Sequence, residues 1–471
     1  MTELWPHQDA MLGDVRTAFR SHQSVLLQSA TGSGKTQIGT RAVRTATEKG
    51  HDVIWLAHRR ELLEQTGKTF FNAGVPHSIM MGGTRHNPRL RATVASVGTL
   101  VNRLDSTRPP KLLIPDEAHH AVAGSTDKII RWVLAHGGKV MGLTATPWRL
   151  SGEGLDTHFD HMVCGPSVAW LMANGYLSDY RAYAPSAPDL TGVHTLAGDY
   201  AKNEIDQVMK GKAIIADCVS QWKRYAPGLR TIGFAVSVEH SQMLVEEFLR
   251  GGVRAAHIDS NTPAPLRRQL ILNFATGHLD VLFNCELFSE GFDLSAIADR
   301  DVPIECVIQA RPTKSLTMHL QQLGRGLRRK PRPAILLDLC GNLARLGLPD
   351  HPHEWTLEGR PKKGRGGSGE ATPLVRKCAG CDVLIPIALP SCPHCGNAQE
   401  AGGGGRKLEQ VAGDLKEVDR DEARRAHLRE QSGAKSLDEL IALGRQKGYK
   451  NPEAWASHVY TARMQKVGRA G

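Results

Sequence analysis

With 471 residues, 41% apolar and 23% charged, the chain has room for roughly two to four ordinary domains, and its composition is that of a soluble globular protein and not a disordered one. A formal net charge of +11 leans toward an anionic polymer as partner, although basic proteins without nucleic acid are common. The opening Met1-Thr2-Glu3-Leu4-Trp5-Pro6-His7-Gln8 has no basic region ahead of an apolar core, and no apolar run is long enough to span a bilayer. The nine cysteines are therefore expected in a reducing compartment, with Cys164, Cys218, Cys285, Cys306 and Cys340 as small core side chains.

Helical spacing of apolar residues from Leu4 to Phe19 predicts a first helix. Gln8 at its start is either a solvated amide or one that pairs with a donor and an acceptor of adenine. The apolar run Val25-Leu26-Leu27 then leads into Ser29-Ala30-Thr31-Gly32-Ser33-Gly34-Lys35-Thr36 and a further helix. A strand, a glycine-rich loop and a helix N-terminus make a phosphate cradle, because Gly32 and Gly34 let backbone N–H groups turn inward. Ser29, Thr31 and Ser33 complete the cradle, Lys35 reaches β- and γ-phosphates, and Thr36 offers a hydroxyl to Mg²⁺. Ser29 stands where the general pattern has its first glycine.

Strand-then-helix patterns follow at Asp52 to Leu63 and at Ala92 to Leu100. The strand Lys111–Ile114 runs through Pro115 into Asp116-Glu117-Ala118-His119, and Lys139–Leu143 ends in Thr144-Ala145-Thr146-Pro147. A second alternating block begins near Thr231, with strands at Ile232–Val236, Val281–Cys285, Val307–Ala310 and Ala334–Asp338. Such alternation implies parallel sheets with the polar motifs at the carboxyl ends of their strands. Pro115 is acceptable only as the last residue of its strand. The expected organisation is an ATP-binding α/β domain over 1–165, a connecting segment over 166–230 and a second α/β domain over 231–350. A basic, glycine-rich linker over 351–377, a zinc module over 378–398 and a helical region over 399–471 complete it. Ser436 and Glu439 form a capping box in the last of these.

Asp116 can hold Mg²⁺ through water, Glu117 can orient and deprotonate the attacking water, and His119 can couple the pair to a neighbouring surface. Arg325 and Arg328, three apart within Gln321-Gln322-Leu323-Gly324-Arg325-Gly326-Leu327-Arg328, share a helix face. They either reach a γ-phosphate across a cleft or bind nucleic-acid phosphate. Cys378-x-x-Cys381 and Cys392-x-x-Cys395, ten residues apart, have the spacing of a closed structural Zn²⁺ site of four thiolates, with two disulfides as the alternative.

Taken together, Gln8, the Ser29–Thr36 loop, Asp116 to His119, Thr144 to Thr146, Glu290-Gly291-Phe292-Asp293 and Gln321 to Arg328 resemble the motif series of DExH-type helicases, which have two RecA-like domains. Ala310-Arg311-Pro312-Thr313-Lys314-Ser315-Leu316-Thr317, Asp338 with Gly341-Asn342, and the trailing cysteines are similar to the RadD-type branch, which includes many phage-encoded helicases. The resemblance implies that Gly291 and Asp293 touch nucleotide, and that Thr144, Thr146 and Gln321 couple hydrolysis to domain closure. It further implies that Arg59, Thr99 and Ser237 grip the nucleic-acid backbone. The resulting expectation is a cytoplasmic, ATP- and Mg²⁺-dependent DNA helicase or translocase with structural Zn²⁺, acting in replication, recombination or repair. An RNA helicase and a non-motor nucleic-acid adaptor are the alternatives.

Overall fold

The computed structural model describes residues 3–359 apart from 121–123, 150, 185–187, 189, 191, 197, 286 and 289–293. Beyond Gly359 it describes 375–377, 384–386, 391, 396–398, 416–418, 436–446, 452–453, 456–457 and 460. One compact unit is built on Met1–Arg360, and another on Pro361–Arg406 and Lys416–Gly471.

The first unit contains two lobes. In the first, α1 (Pro6–Ala18) precedes β1 (Ser24–Gln28), α2 (Lys35–Glu48), β2 (Val53–Ala57), α3 (Arg60–Asn72), β3 (His77–Met80) and β4 (Ala92–Ser96). Then come α4 (Val97–Leu100), β5 (Leu112–Pro115), α5 (Gly124–Ala135), β6 (Lys139–Thr144) and β7 (His161–Cys164). The strands form one parallel sheet in the order β3-β4-β2-β5-β6-β1-β7. Every residue of β1 and β2 is buried, as expected of strands covered by helices on both faces. Alternate side chains divide accordingly: Val25, Leu27, Trp55 and Leu143 join one core, whereas Leu26, Ile54, Leu113 and Val140 join the other. The adjacency β5-β6-β1 brings the ends of three strands side by side, with Gln28 in register with Thr144. That order alone gathers the phosphate loop, the acidic pair and the Thr144–Thr146 turn.

After α6 (Val168–Ala173), the second lobe comprises β8 (Tyr180–Ala184), a hairpin of β9 (Thr195–Leu196) and β10 (Asp199–Tyr200), α7 (Lys202–Met209) and α8 (Lys212–Tyr225). It continues with β11 (Thr231–Ala235), α9 (Val238–Arg250), β12 (Ala255–Ile258), α10 (Ala264–Ala275), β13 (Val281–Asn284) and α11 (Leu294–Ala298). The last elements are β14 (Cys306–Ala310), α12 (Leu316–Gly326), β15 (Ala334–Asp338) and α13 (Asn342–Leu346). Its strands run parallel in the order β12-β13-β11-β14-β15-β8 around a core that includes Trp222, Phe248 and Phe283. Part of the segment read in the sequence as a connection is thus a strand of this sheet. Tyr180–Ala184 hid because exposed Arg181 interrupts its apolar run.

Pro115 is the last residue of β5, and the following N–H, that of Asp116, donates to Leu56 O at 2.9 Å. Cys218, Cys306 and Cys340 are buried as expected, but Cys164 at the end of β7 is exposed. In the second unit, Val375–Lys377 pairs antiparallel with Leu384–Pro386. The capping box at Ser436 and Glu439 forms reciprocally, at 3.2 and 3.3 Å. The zinc candidates Cys378, Cys381, Cys392 and Cys395 lie outside the described residues. Among the described residues no helix is long and apolar enough to cross a membrane.

Trp55 shows how tightly the first core is specified. It is fully buried, edge-on to Phe70 at 5.6 Å between centroids, and a Cβ on Gly39 would come within 2.5 Å of its ring. Trp55→Ala is expected to cost about 3–5 kcal/mol of unfolding free energy in urea titrations.

Candidate active site between the lobes

Lys35 is the first residue of α2, and its N-cap Gly34 has φ of 87° with no side chain capping the helix. A helix start of that kind leaves N–H groups of the first turn open to a ligand. The loop ahead of it is braced from within. Gln8 Nε2 donates to Ser33 O at 2.8 Å, while Gln8 Oε1 accepts from Trp5 N at 2.9 Å, so this amide ties α1 to the loop. Ser29 Oγ and Ser33 Oγ are 2.7 Å apart, and Ser33 Oγ donates to Ala30 O at 2.7 Å. The hydroxyl that replaces the expected glycine therefore closes a bridge across the loop. Lys35 Nζ folds back to donate to Ser29 O at 3.0 Å and Ala30 O at 3.4 Å. Thr36 is the second residue of α2, and its carbonyl accepts from Thr40 Oγ1 at 2.7 Å.

At the end of β5 the Asp116 carboxylate accepts from Glu117 N at 3.0 Å. Glu117 is held at φ of +49°, a conformation that costs a non-glycine residue energy and often marks a functional position. It is buried, and its Oε2 has no hydrogen-bond partner. His119 Nδ1 lies 3.5 Å from that oxygen and 3.3 Å from Thr144 Oγ1. Thr144 Oγ1 in turn donates to Thr146 O at 2.7 Å and accepts from Thr146 N at 3.2 Å. The acidic pair is thus joined through one imidazole to the turn after β6.

The opposite wall is α12. Ser315 caps it, its Oγ accepting from Met318 N. Gly324 lies directly on Thr31, where a Cβ would sit 2.4 Å from the threonine Cβ. Arg325 is buried in the last turn of α12. Arg328 forms a bridge with Leu177, and its stem lies over Gly32, whose added Cβ would be 3.4 Å from Arg328 Cγ. Gln321 is buried too, with its Nε2 lacking a partner.

The charges of both lobes face one another. Burial pulls the Lys35 ammonium below its ordinary value; Glu117 and Asp116 oppose that shift, while Arg325 and Arg328 reinforce it. Burial, together with the charge of Glu117, pushes Asp116 up to about 7 against the attraction of Lys35. Three cationic and two acidic side chains from opposite walls thus share a single cleft.

Other expected site residues lie apart from this cluster. Arg59 is the N-cap of α3 beyond β2, Thr99 is held by Ser96 after β4, and Ser237 caps α9 after β11 while donating to Asp206 at 2.5 Å. Gly291 and Asp293 are outside the described residues. Leu177 and the Gly324 contact carry no signal in the sequence, because only the fold brings them to the loop.

Residues 1–149 match the family described as Type III restriction enzyme, res subunit, and residues 212–330 match the helicase conserved C-terminal domain. A 51.5 kDa protein of Lactococcus phage (isolate 7-9) is 37% identical over 376 residues, which cover 79% of this chain and 77% of that one. The IRC3 protein of Saccharomyces cerevisiae, which bears the name of an ATP-dependent helicase, is 28% identical over 341 residues. That match covers 68% of this chain but 48% of the yeast protein, so the chain spans about half of that relative's length. Among solved structures, the ATP-dependent Type ISP restriction-modification enzyme LlaBIII bound to DNA shares the fold at a TM-score of 0.52 and 15% identity, over 72% of this chain and 27% of that one. The chain belongs to the DExH-type helicases, nucleic-acid-dependent ATP hydrolases, in a branch linked to phages.

Proposed function

We propose that the protein is an ATP-driven motor on DNA, in which one triphosphate is clamped between the phosphate loop and α12. The observation that carries this reading is the convergence of Lys35, Asp116 and Glu117 from one lobe with Arg325 and Arg328 from the other. The open N–H groups at the start of α2 suit phosphate oxygens, and Lys35 would exchange its two loop carbonyls for them. Glu117, whose buried Oε2 makes no hydrogen bond and has the His119 imidazole beside it at 3.5 Å, suits the role of general base toward a water, with His119 positioned to orient it. The buried Glu117 and half-buried Asp116 carboxylates form a pair that a divalent cation would balance. Thr36 and Asp116 would hold Mg²⁺ there, where it supplies charge neutralisation for the phosphates. Arg325 and Arg328 would face charge developing on the transferred group, a contribution of roughly 10³–10⁵ in rate where dissected.

Arg59, Thr99 and Ser237 stand at strand ends β2, β4 and β11, where each lobe would grip a nucleic-acid backbone, and phosphate contacts of that kind bind without regard to sequence. DNA, with roles in replication, recombination or repair, follows the branch that the motifs resemble; RNA is the rival substrate. The four cysteines of the C-terminal cluster are assigned to structural Zn²⁺ on their spacing, which places two thiolates on each knuckle.

Lys35→Ala is expected to abolish ATP turnover, and Glu117→Gln to keep nucleotide binding while slowing turnover by about 10²-fold or more. Turnover unchanged in both variants would refute the site. Gly324→Ala should hold α12 off Thr31 and lower turnover roughly tenfold, the rate equivalent of about 1.4 kcal/mol of overpacking. Stimulation of turnover by single-stranded DNA, forked DNA and RNA, compared side by side, distinguishes the two substrates. Metal analysis of the purified protein should give one Zn²⁺ per chain, lost when Cys378 and Cys381 are both changed to serine; wild-type protein without zinc would refute the assignment.

A further inference from the structure

Trp148 lies two residues beyond the Thr144–Thr146 turn and belongs to no motif read from the sequence, yet it is only 6% exposed. Its neighbours come largely from the other lobe. It shares a core cluster with Leu316 and Leu346, and partly buried Leu320 and Trp355 lie against it. Its carbonyl accepts from Thr317 Oγ1, in the first turn of α12, at 3.1 Å. Its indole N–H donates to Thr356 O at 3.0 Å, and its ring meets Trp355 edge-on at 4.8 Å.

Thr356 and Trp355 belong to a stretch that leaves the second lobe after α13 and fastens onto the first. Leu357 O accepts from Leu155 N at 2.6 Å and Asp156 N at 3.1 Å, and Gly359 bridges Glu153. The crossing is so close that a Cβ on Gly154 would lie 1.9 Å from Leu357 O, and one on Gly359 would lie 2.5 Å from Gly154 N. Residues 351–359, read in the sequence as the start of a linker, are therefore a strap across the two lobes. Trp148 is held between this strap and α12, the helix that carries Arg325. On the far side of Leu320 and Trp355, a cavity of about 180 Å³ is lined in part by Thr31, Thr146 and Gly324, so the same parts meet around the phosphate loop.

We infer that Trp148 is a positioning residue, which passes the state of the Thr144–Thr146 turn to α12 and so lets the polymer-bound state of the lobes set how the arginines engage nucleotide. The inference rests on the proposed roles of Arg325 and Arg328. A rigid coupling is favoured because the contact is polar at two points and packed on both sides, and a buried indole interdigitates too closely to slide freely.

The test compares ATP turnover with saturating single-stranded DNA to turnover without it, in full-length wild-type protein and in Trp148→Ala, Trp148→Phe and Thr317→Val. The ratio of the two rates is independent of how much of each preparation is folded, so a merely structural role would not move it. The relay predicts that Trp148→Ala loses roughly fivefold or more of the ratio, the lower end of site-to-site couplings. Trp148→Phe, which keeps a ring but not the N–H, and Thr317→Val should fall between. An unchanged ratio in Trp148→Ala overturns the relay; should that variant fail to fold, an unchanged ratio in both Trp148→Phe and Thr317→Val does the same. Arg325→Ala, measured alongside, keeps the two readings separate. Lost turnover there with an unchanged Trp148→Ala ratio overturns the relay and leaves the nucleotide site standing. Full turnover in Arg325→Ala removes the site reading on which the relay rests.

Discussion

The contact of Gly324 with Thr31 sets how the lobes meet, because the threonine side chain of the phosphate loop packs directly on the bare backbone of the helix at that point. With α12 seated there, Arg325 is buried at the cleft and the stem of Arg328 lies over Gly32. The rest of the second lobe is arranged to deliver that helix. Ser315 caps it, and Ser315 N donates to Thr313 Oγ1 at 3.0 Å. Thr313 Oγ1 donates to Asp199 at 2.9 Å, and Thr313 N donates to Asn342 Oδ1 at 3.0 Å. The Arg311 to Thr317 stretch, which in the sequence served only to mark a branch, is thus the mount of the arginine helix.

The cleft is electrostatically unfinished. Half-buried Asp116 adjoins buried Glu117, Glu117 is held in a strained backbone conformation, and Lys35 is turned back onto loop carbonyls. Burial disfavours the charged form of Asp116, and the neighbouring charge of Glu117 adds to that penalty. A polyanion with its cation would offset both penalties at once, which favours the proposed reading of the cleft as a nucleotide site. In the proposed complex the ligand's negative charge would also offset the effect of Arg325 and Arg328 on Lys35.

Much of this was legible in the sequence, and for a physical reason. Strands β1, β2, β5 and β6 are buried on both faces, so they read as unbroken apolar runs, each stopped by a polar motif at its carboxyl end. The neighbourhood of Ser29, Asp116, Thr144 and α12 then follows from strand order, which composition does not encode but alternating topology restricts. Short strands such as His77–Met80 and Tyr180–Ala184 were illegible because half-exposed or charged residues break their pattern. Of the two readings of Gln8, its burial removes the solvated one, and its amide also spans Trp5 and Ser33, a local brace that no spacing rule shows. The strap was hidden for a different reason. Trp148 and Thr356 are 208 residues apart, and nothing near either announces the other.

The central claim is that both lobes close on one triphosphate. Its most direct test is a crystal structure of the protein with Mg²⁺, ADP and a planar fluoride mimic of the transferred phosphoryl group. The account predicts Arg325 and Arg328 guanidinium nitrogens about 3 Å from the fluorines, with Lys35 moved off Ser29 O onto phosphate oxygen. Nucleotide bound in a closed cleft with both guanidinium groups turned away, and Lys35 still on the loop carbonyls, would contradict it.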